Sequence, residues 1–147
     1  MRLAYEFYHR PCLEVARDLV GKVLVHKGQR LRISETEAYC GEADTACHAS
    51  KGRTKRTEVM YMDAGTVYIY LCYGMHWMLN IVTGHEDDPQ GVLIRGIDEI
   101  HGPGRVTKTL ELDNECNGIN ITECKTLSIE KGSSVIPCQA TPRIGIA

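Results

Sequence analysis

Val67-Tyr68-Ile69-Tyr70-Leu71-Cys72, then Tyr73-Gly74-Met75, then His76-Trp77-Met78-Leu79-Asn80-Ile81-Val82: two runs rich in β-branched and aromatic residues flank a short glycine-containing turn. That pattern predicts a β-hairpin. Alternation puts Val67, Ile69 and Leu71 on one side of the first strand and Tyr68, Tyr70 and Cys72 on the other. The glycine can adopt positive φ, and Tyr73 falls at the tip. Working outward, Lys22 to His26 and Leu31 to Tyr39 read as strands joined through Lys27-Gly28-Gln29-Arg30, a four-residue connection. Period-two alternation places Leu31, Ile33, Glu35, Glu37 and Tyr39 on one face, which begins apolar and turns acidic. Val92 to Ile97, Leu127 to Glu130 and Thr141 to Ile146 are further strands. Pro11 to Val20 predicts a helix with Leu13, Ala16 and Val20 along one face and Gly21 as its stop; Gly102-Pro103-Gly104 opens a second helix reaching Leu112. Cys40 to Ala64 is polar and aperiodic apart from Val59 to Met62, which predicts a long surface loop. Helices and strands mix without βαβ regularity. The expected architecture is therefore α+β: a single compact domain over residues 1–147, with a mixed, mostly antiparallel sheet, short helices and a protruding β-hairpin.

A chain of 147 residues with 43% hydrophobic content suits one core. No apolar run approaches the roughly 20 residues that span a bilayer, and Met1 to Glu6 lacks the apolar core of a signal peptide. An intracellular protein without membrane contact is expected. Its seven cysteines, an odd number without repeated spacing, favour reduced thiols over a disulfide scaffold. The net charge of -2 carries no basic footprint of a nucleic-acid binder. Locally, however, Lys51, Arg53, Lys55 and Arg56 cluster, and Arg105 and Lys108 form a second small group. Such a patch can hold a phosphate backbone or simply be a solvated loop.

Glu37 is the candidate for chemistry, because a carboxylate acts as a general base on water only when oriented and shielded; the alternative is an exposed strand end. Tyr39 lies roughly 7 Å along the same face, so a ring and a carboxylate would border one cavity. Cys40, Cys47 and His48 match no zinc spacing, and neither metal nor cofactor is expected. Tyr68, Tyr70 and Trp77 fit cross-strand packing. Tyr73, at a turn tip, has little core to pack against and suits a wedge that fills the gap left by an extruded nucleotide.

Glu35-Thr36-Glu37-Ala38-Tyr39, Asp44 with His48 four residues on, Gly65 to Tyr70, Tyr73-Gly74-Met75, Asn80, Arg95 and Gly102-Pro103-Gly104 occur in one order along the chain. In that order they resemble the alkyladenine, or 3-methyladenine, DNA glycosylase family. The resemblance covers nearly the whole chain, with a shorter Arg95–Gly102 connection than some relatives carry and a shorter C-terminal end than relatives usually have. It implies a monofunctional base-excision-repair enzyme that flips alkylated or deaminated purines from duplex DNA. The purine classes are 3-methyladenine, 7-methylguanine, hypoxanthine and ethenoadenine.

By the same resemblance Glu37 matches the general base, Arg95 a residue that helps hold the water, and the Ile144 carbonyl another water contact. Tyr39, His48 and Tyr70 match residues that stack on or hydrogen-bond to the flipped base. Asn80 matches one that excludes guanine, and Tyr73 the side chain that intercalates. Arg53, Lys55 and Arg56 are the expected backbone contacts. The partner is damaged duplex DNA and a monomer is expected, in the cytoplasm of a bacterium or the nucleus of a eukaryote. Two other readings stay open: a non-catalytic lesion binder of the same fold, and a small nucleoside hydrolase.

Overall fold

The computed structural model describes residues 1–40, 57–84 and 89–132. Helices α1 (Tyr5–Tyr8) and α2 (Cys12–Leu19) lead into strands β1 (Val23–His26) and β2 (Gln29–Cys40). A 3₁₀ turn (Glu58–Tyr61) precedes β3 (Val67–Cys72), β4 (His76–Thr83), β5 (Gln90–Ile97) and β6 (Ile100–His101). Helix α3 (Pro103–Leu110) and β7 (Leu127–Glu130) follow. The strands form one seven-stranded sheet in the order β3-β4-β5-β2-β1-β7, with β6 against β5. Every described pairing is antiparallel, as expected for the α+β reading. Among the described residues no helix is long and apolar enough to cross a membrane.

Helix α2 is one residue shorter at each end than predicted, and its buried stripe is different. Cys12, Val15, Ala16 and Leu19 face the core, while Leu13 is 67% exposed and Val20 lies beyond the last turn. The i, i+3, i+4, i+7 spacing begins at Cys12 because a thiol packs like a small apolar group. Gly21, at φ 95°, ends the helix as predicted. The β1–β2 connection is tighter than the four residues expected. His26 pairs with Gln29, leaving Lys27 and Gly28, both at positive φ, as the turn itself; a two-residue turn of this kind matches the natural twist of a hairpin. Helix α3 stops at Leu110 rather than Leu112, with Glu111 in the left-handed conformation. The Thr141–Ile146 strand and residues 41–56 of the predicted loop lie outside the described residues.

The principal correction concerns β2. Leu31 and Ile33 do not share a face with Glu35, Glu37 and Tyr39. Pairing with β5 slips twice, between Ile33 and Glu35 and between Glu35 and Thr36. Ile33 opposite Ile97 and Thr36 opposite Ile94, three residues apart on each strand, consequently face the same side. Ile33, Ile94 and Ile97 are in the main core with Val15, Leu19, Val106 and Leu110, and Thr36 donates its hydroxyl to the Ala16 carbonyl of α2. A bulge of this kind reverses the in-out phase of a strand. Glu35, Glu37 and Tyr39 are thereby turned onto the opposite sheet face, away from α2 and α3. There Met60, Tyr61, Tyr68 and Val82 form a second, smaller core against which Tyr39, Val59 and Tyr70 pack.

Candidate active site

Four strands contribute neighbouring side chains to this second face. Tyr68 on β3 pairs with Asn80 on β4, Asn80 with Leu93 on β5, and Leu93 with Glu37 on β2. Directly paired residues project to the same side, so these four form one row across the sheet. Tyr39 and Arg95 lie two residues from Glu37 and Leu93 along their strands.

Glu37 is only 9% exposed, which excludes the exposed strand end. Both its carboxylate oxygens are engaged: Arg95 donates from Nη1 to Oε1 at 2.6 Å and the Tyr39 hydroxyl donates to Oε2 at 2.6 Å. A salt bridge to a guanidinium plus a phenol fixes both the countercharge and the plane of the carboxyl group. Arg95 is itself anchored, with Nε 3.8 Å from Glu35 Oε2, and Glu35 accepts from His101 on β6. The chain Tyr39–Glu37–Arg95–Glu35–His101 thus runs from a buried centre to an exposed rim.

Asn80 is 6% exposed and donates its amide to the carbonyls of Tyr68 and Met78, at 3.3 Å each. Its carbonyl oxygen remains as an acceptor. Tyr70 packs beside Tyr68, ring centroids 5.3 Å apart and tilted by 39°. A cleft of about 330 Å³ opens along β3, lined by Val59, Tyr68 and Tyr70 from this face and by Ile69, Leu71, Trp77 and Asn117; Glu37 and Arg95 do not line it. At the far end of the hairpin Tyr73 is 92% exposed. The turn places Tyr73 and Gly74 both at positive φ, with the Met75 amide donating to the Cys72 carbonyl at 3.1 Å. A tyrosine held left-handed costs about 1 kcal/mol or more, so the tip presents its ring at some expense to stability.

The structure therefore brings together Glu37, Arg95, Tyr39, Tyr70 and Asn80 and sets Tyr73 on the protruding hairpin. His48, Arg53, Lys55, Arg56 and Ile144 lie outside the described residues. Sequence reasoning passed over Tyr68, treated as packing, over Glu35 and His101 behind Arg95, and over Met75, 74% exposed beside Tyr73. An apolar residue inside a turn signals Met75; nothing local signals His101.

Residues 6–101 match the family model described as methylpurine-DNA glycosylase. The chain belongs to the methylpurine-DNA glycosylase family. Relatives provisionally named 3-methyladenine DNA glycosylases are 44% identical in Sodalis glossinidius and 42% identical in Methanocella arvoryzae. Each alignment covers 98% of this chain, and 89% and 84% of the respective relatives. A Rickettsia felis relative with the same provisional name is 42% identical over 98% of this chain and 85% of its own length. This glycosylase thus carries its buried carboxylate, guanidinium and aromatic rings within the matched segment.

Proposed function

We propose that this glycosylase flips alkylated or deaminated purines from duplex DNA and hydrolyses the N-glycosidic bond with a water activated by Glu37. The substrates are 3-methyladenine, 7-methylguanine, hypoxanthine and ethenoadenine. The observation that carries the proposal is a carboxylate nine-tenths buried, clamped by Arg95 and Tyr39, on one sheet face with Asn80 and Tyr70.

In this reading Tyr73 enters the minor groove and fills the space the nucleotide leaves. The extruded purine enters among Tyr39, His48 and Tyr70. Stacking supplies about 1–3 kcal/mol per base, and a cationic alkylated purine gains further from the negative ring faces. Asn80, held by its bonds to the Tyr68 and Met78 carbonyls, helps exclude normal guanine from the pocket. As the C1′–N bond lengthens, the bonding pair leaves with the purine and positive charge grows on the sugar. Water, held by Arg95 and the Ile144 carbonyl, adds to C1′ as Glu37 takes its proton. The negative carboxylate also favours the developing oxocarbenium charge. By the resemblance no lysine takes the place of an amine nucleophile, and in this reading the products are free base and an intact strand with an abasic site. Arg53, Lys55 and Arg56 hold the backbone. Residues 1–147 act as one monomeric glycosylase domain inside the cell, where the DNA is.

The test is release of 3-methyladenine and 7-methylguanine from alkylated duplex DNA at low salt by the wild type and by Glu37→Gln. Release lost by about 10²-fold or more, with lesion binding retained, supports hydrolysis through Glu37. Lesion binding without release by the wild type identifies a binder instead. Turnover of free nucleosides, insensitive to Tyr73→Ala, identifies a nucleoside hydrolase.

A further inference from the structure

Away from the proposed reaction, two sulfurs meet where α2, β2 and β5 converge. Cys12 is the first residue of α2 and is 2% exposed; Cys40 is the last residue of β2 and is exposed. Their Sγ atoms are 2.7 Å apart. Two thiolates sharing a tetrahedral zinc ion, with Zn–S bonds of about 2.3 Å, stand about 3.8 Å apart. The pair is too close for that arrangement, and within about 0.7 Å of the length of a covalent S–S bond. The flanking backbone is held from both sides. The Cys12 amide donates to Gln90 Oε1 at 2.9 Å, and Gln90 is the β5 residue paired with Cys40.

We infer that Cys12 and Cys40 form a dithiol site that low-molecular-weight disulfides, such as oxidised glutathione, convert to an internal disulfide. The exposed Cys40 thiolate attacks one sulfur of the reagent, expelling a thiolate and leaving a mixed disulfide. Cys12, once deprotonated, displaces the second reagent thiol and closes the Cys12–Cys40 bond. Two protein thiols and one reagent disulfide become one protein disulfide and two reagent thiols, with two electrons passing to the reagent. In a compartment kept reduced the pair persists as thiols and closes only under oxidation. Closure fixes the end of β2 to α2 one residue beyond Tyr39, the phenol that holds Glu37. The inference rests on the sulfur positions and not on the glycosylase reaction.

Cys116 and Cys124 provide an internal control. Their Sγ atoms are 3.7 Å apart, and both residues are buried, at 3% and 4% exposure, beside the Thr126 hydroxyl. Burial raises the Cys116 thiol pKa. That pair lacks both the approach and the exposed partner.

The experiment titrates the wild-type chain with oxidised and reduced glutathione, then alkylates remaining thiols and maps tryptic peptides by mass. The expected result is a Cys12–Cys40 cross-linked peptide, lost on treatment with dithiothreitol. It should be half-formed at least about tenfold earlier in the titration than any Cys116–Cys124 bond. In Cys40→Ser, Cys12 should stay unmodified while the chain is folded. The inference is overturned if Cys40 accumulates only a glutathione adduct, if it bonds to Cys47 or Cys138 instead, or if both thiols remain reduced at the oxidising limit. Glutathione addition to Cys12 in Cys40→Ser would equally overturn it.

Discussion

Replacing Arg95 with methionine keeps a long apolar stem but removes the guanidinium that neutralises Glu37. Removing one partner of a buried ion pair costs about 3–5 kcal/mol, because the other charge is left without compensation. Glu37 has 9% of its side chain accessible but Arg95 has 23%, so some water reaches the pair. The expected loss is correspondingly smaller, about 2–3 kcal/mol. For a domain of this length that lowers Tm by roughly 4–12 °C. The informative variant is the double one, Arg95→Met with Glu37→Gln. A neutral amide needs no countercharge and still accepts from the Tyr39 hydroxyl, so at least about half of the lost stability should return. Base release should not return. Urea unfolding of the four proteins of this cycle, alongside base release from alkylated DNA, separates the two effects. If Arg95→Met unfolds within about 0.5 kcal/mol of wild type, or if the single losses simply add in the double variant, the pair is not the coupled buried unit described above.

Three further outcomes follow from other residues. Tyr73→Ala removes a ring that is 92% exposed, so stability should move by less than about 0.5 kcal/mol. Binding to a lesion-containing duplex should nevertheless weaken by about 5-fold or more, the lower end of what a stacked ring supplies; unchanged anisotropy titrations would remove Tyr73 from the interface. Gly96→Ala places a Cβ 2.9 Å from Ser34 Oγ and 3.0 Å from Glu35 Oε1, which should cost about 1–3 kcal/mol and slow base release by shifting Glu35 from Arg95. Wild-type Tm and activity would show that the bulge absorbs a methyl group. Glu130 is held below its usual range first by the hydrogen bond from Arg30, against a smaller opposing effect of burial, with the Arg30 charge and the N-terminus assisting. Its folded pKa is the lower one. The contribution is therefore present above about pH 4.3, the unfolded value, and fades as pH falls through the folded value. Glu130→Gln should flatten the acid limb of the Tm–pH profile, and a superimposable profile would refute the pairing.

The hairpin from Val67 to Thr83 was legible because a run of β-branched and aromatic residues on each side of a glycine turn is a local property. Glu37, Tyr39 and Arg95 were legible as candidate site residues through resemblance, whereas their environment was not. Spacing alone does not distinguish a clamped carboxylate from an exposed one, because Arg95 is 58 residues away and reaches Glu37 only through sheet pairing. Leu13 misled for a related reason. Hydropathy ranks leucine above cysteine, yet the helix phase is set by which side chains the sheet accepts, and it accepts Cys12. Lys27 and Tyr73 hid their left-handed conformations, since neither residue type advertises positive φ.

The double slip in β2 explains how one strand serves both a core and a site. In a regular strand Glu35, Glu37 and Tyr39 would follow Leu31 and Ile33 toward α2, and two carboxylates would enter an apolar interior at several kcal/mol each. Moving the phase once, between Ile33 and Thr36, lets the first half of β2 pack against α2 while the second half turns to the face of the smaller core. The compensating slip on β5 keeps Ile94 and Ile97 in the core and still turns Arg95 toward Glu37. Gly96 lies at that slip, where a side chain would meet Ser34 and Glu35. The geometry that keeps the charges out of the core is thus the same geometry that brings Arg95 to the carboxylate. Removing the irregularity should therefore damage stability and base release together, whereas Arg95→Met with Glu37→Gln should recover much of the stability lost in Arg95→Met and none of the base release.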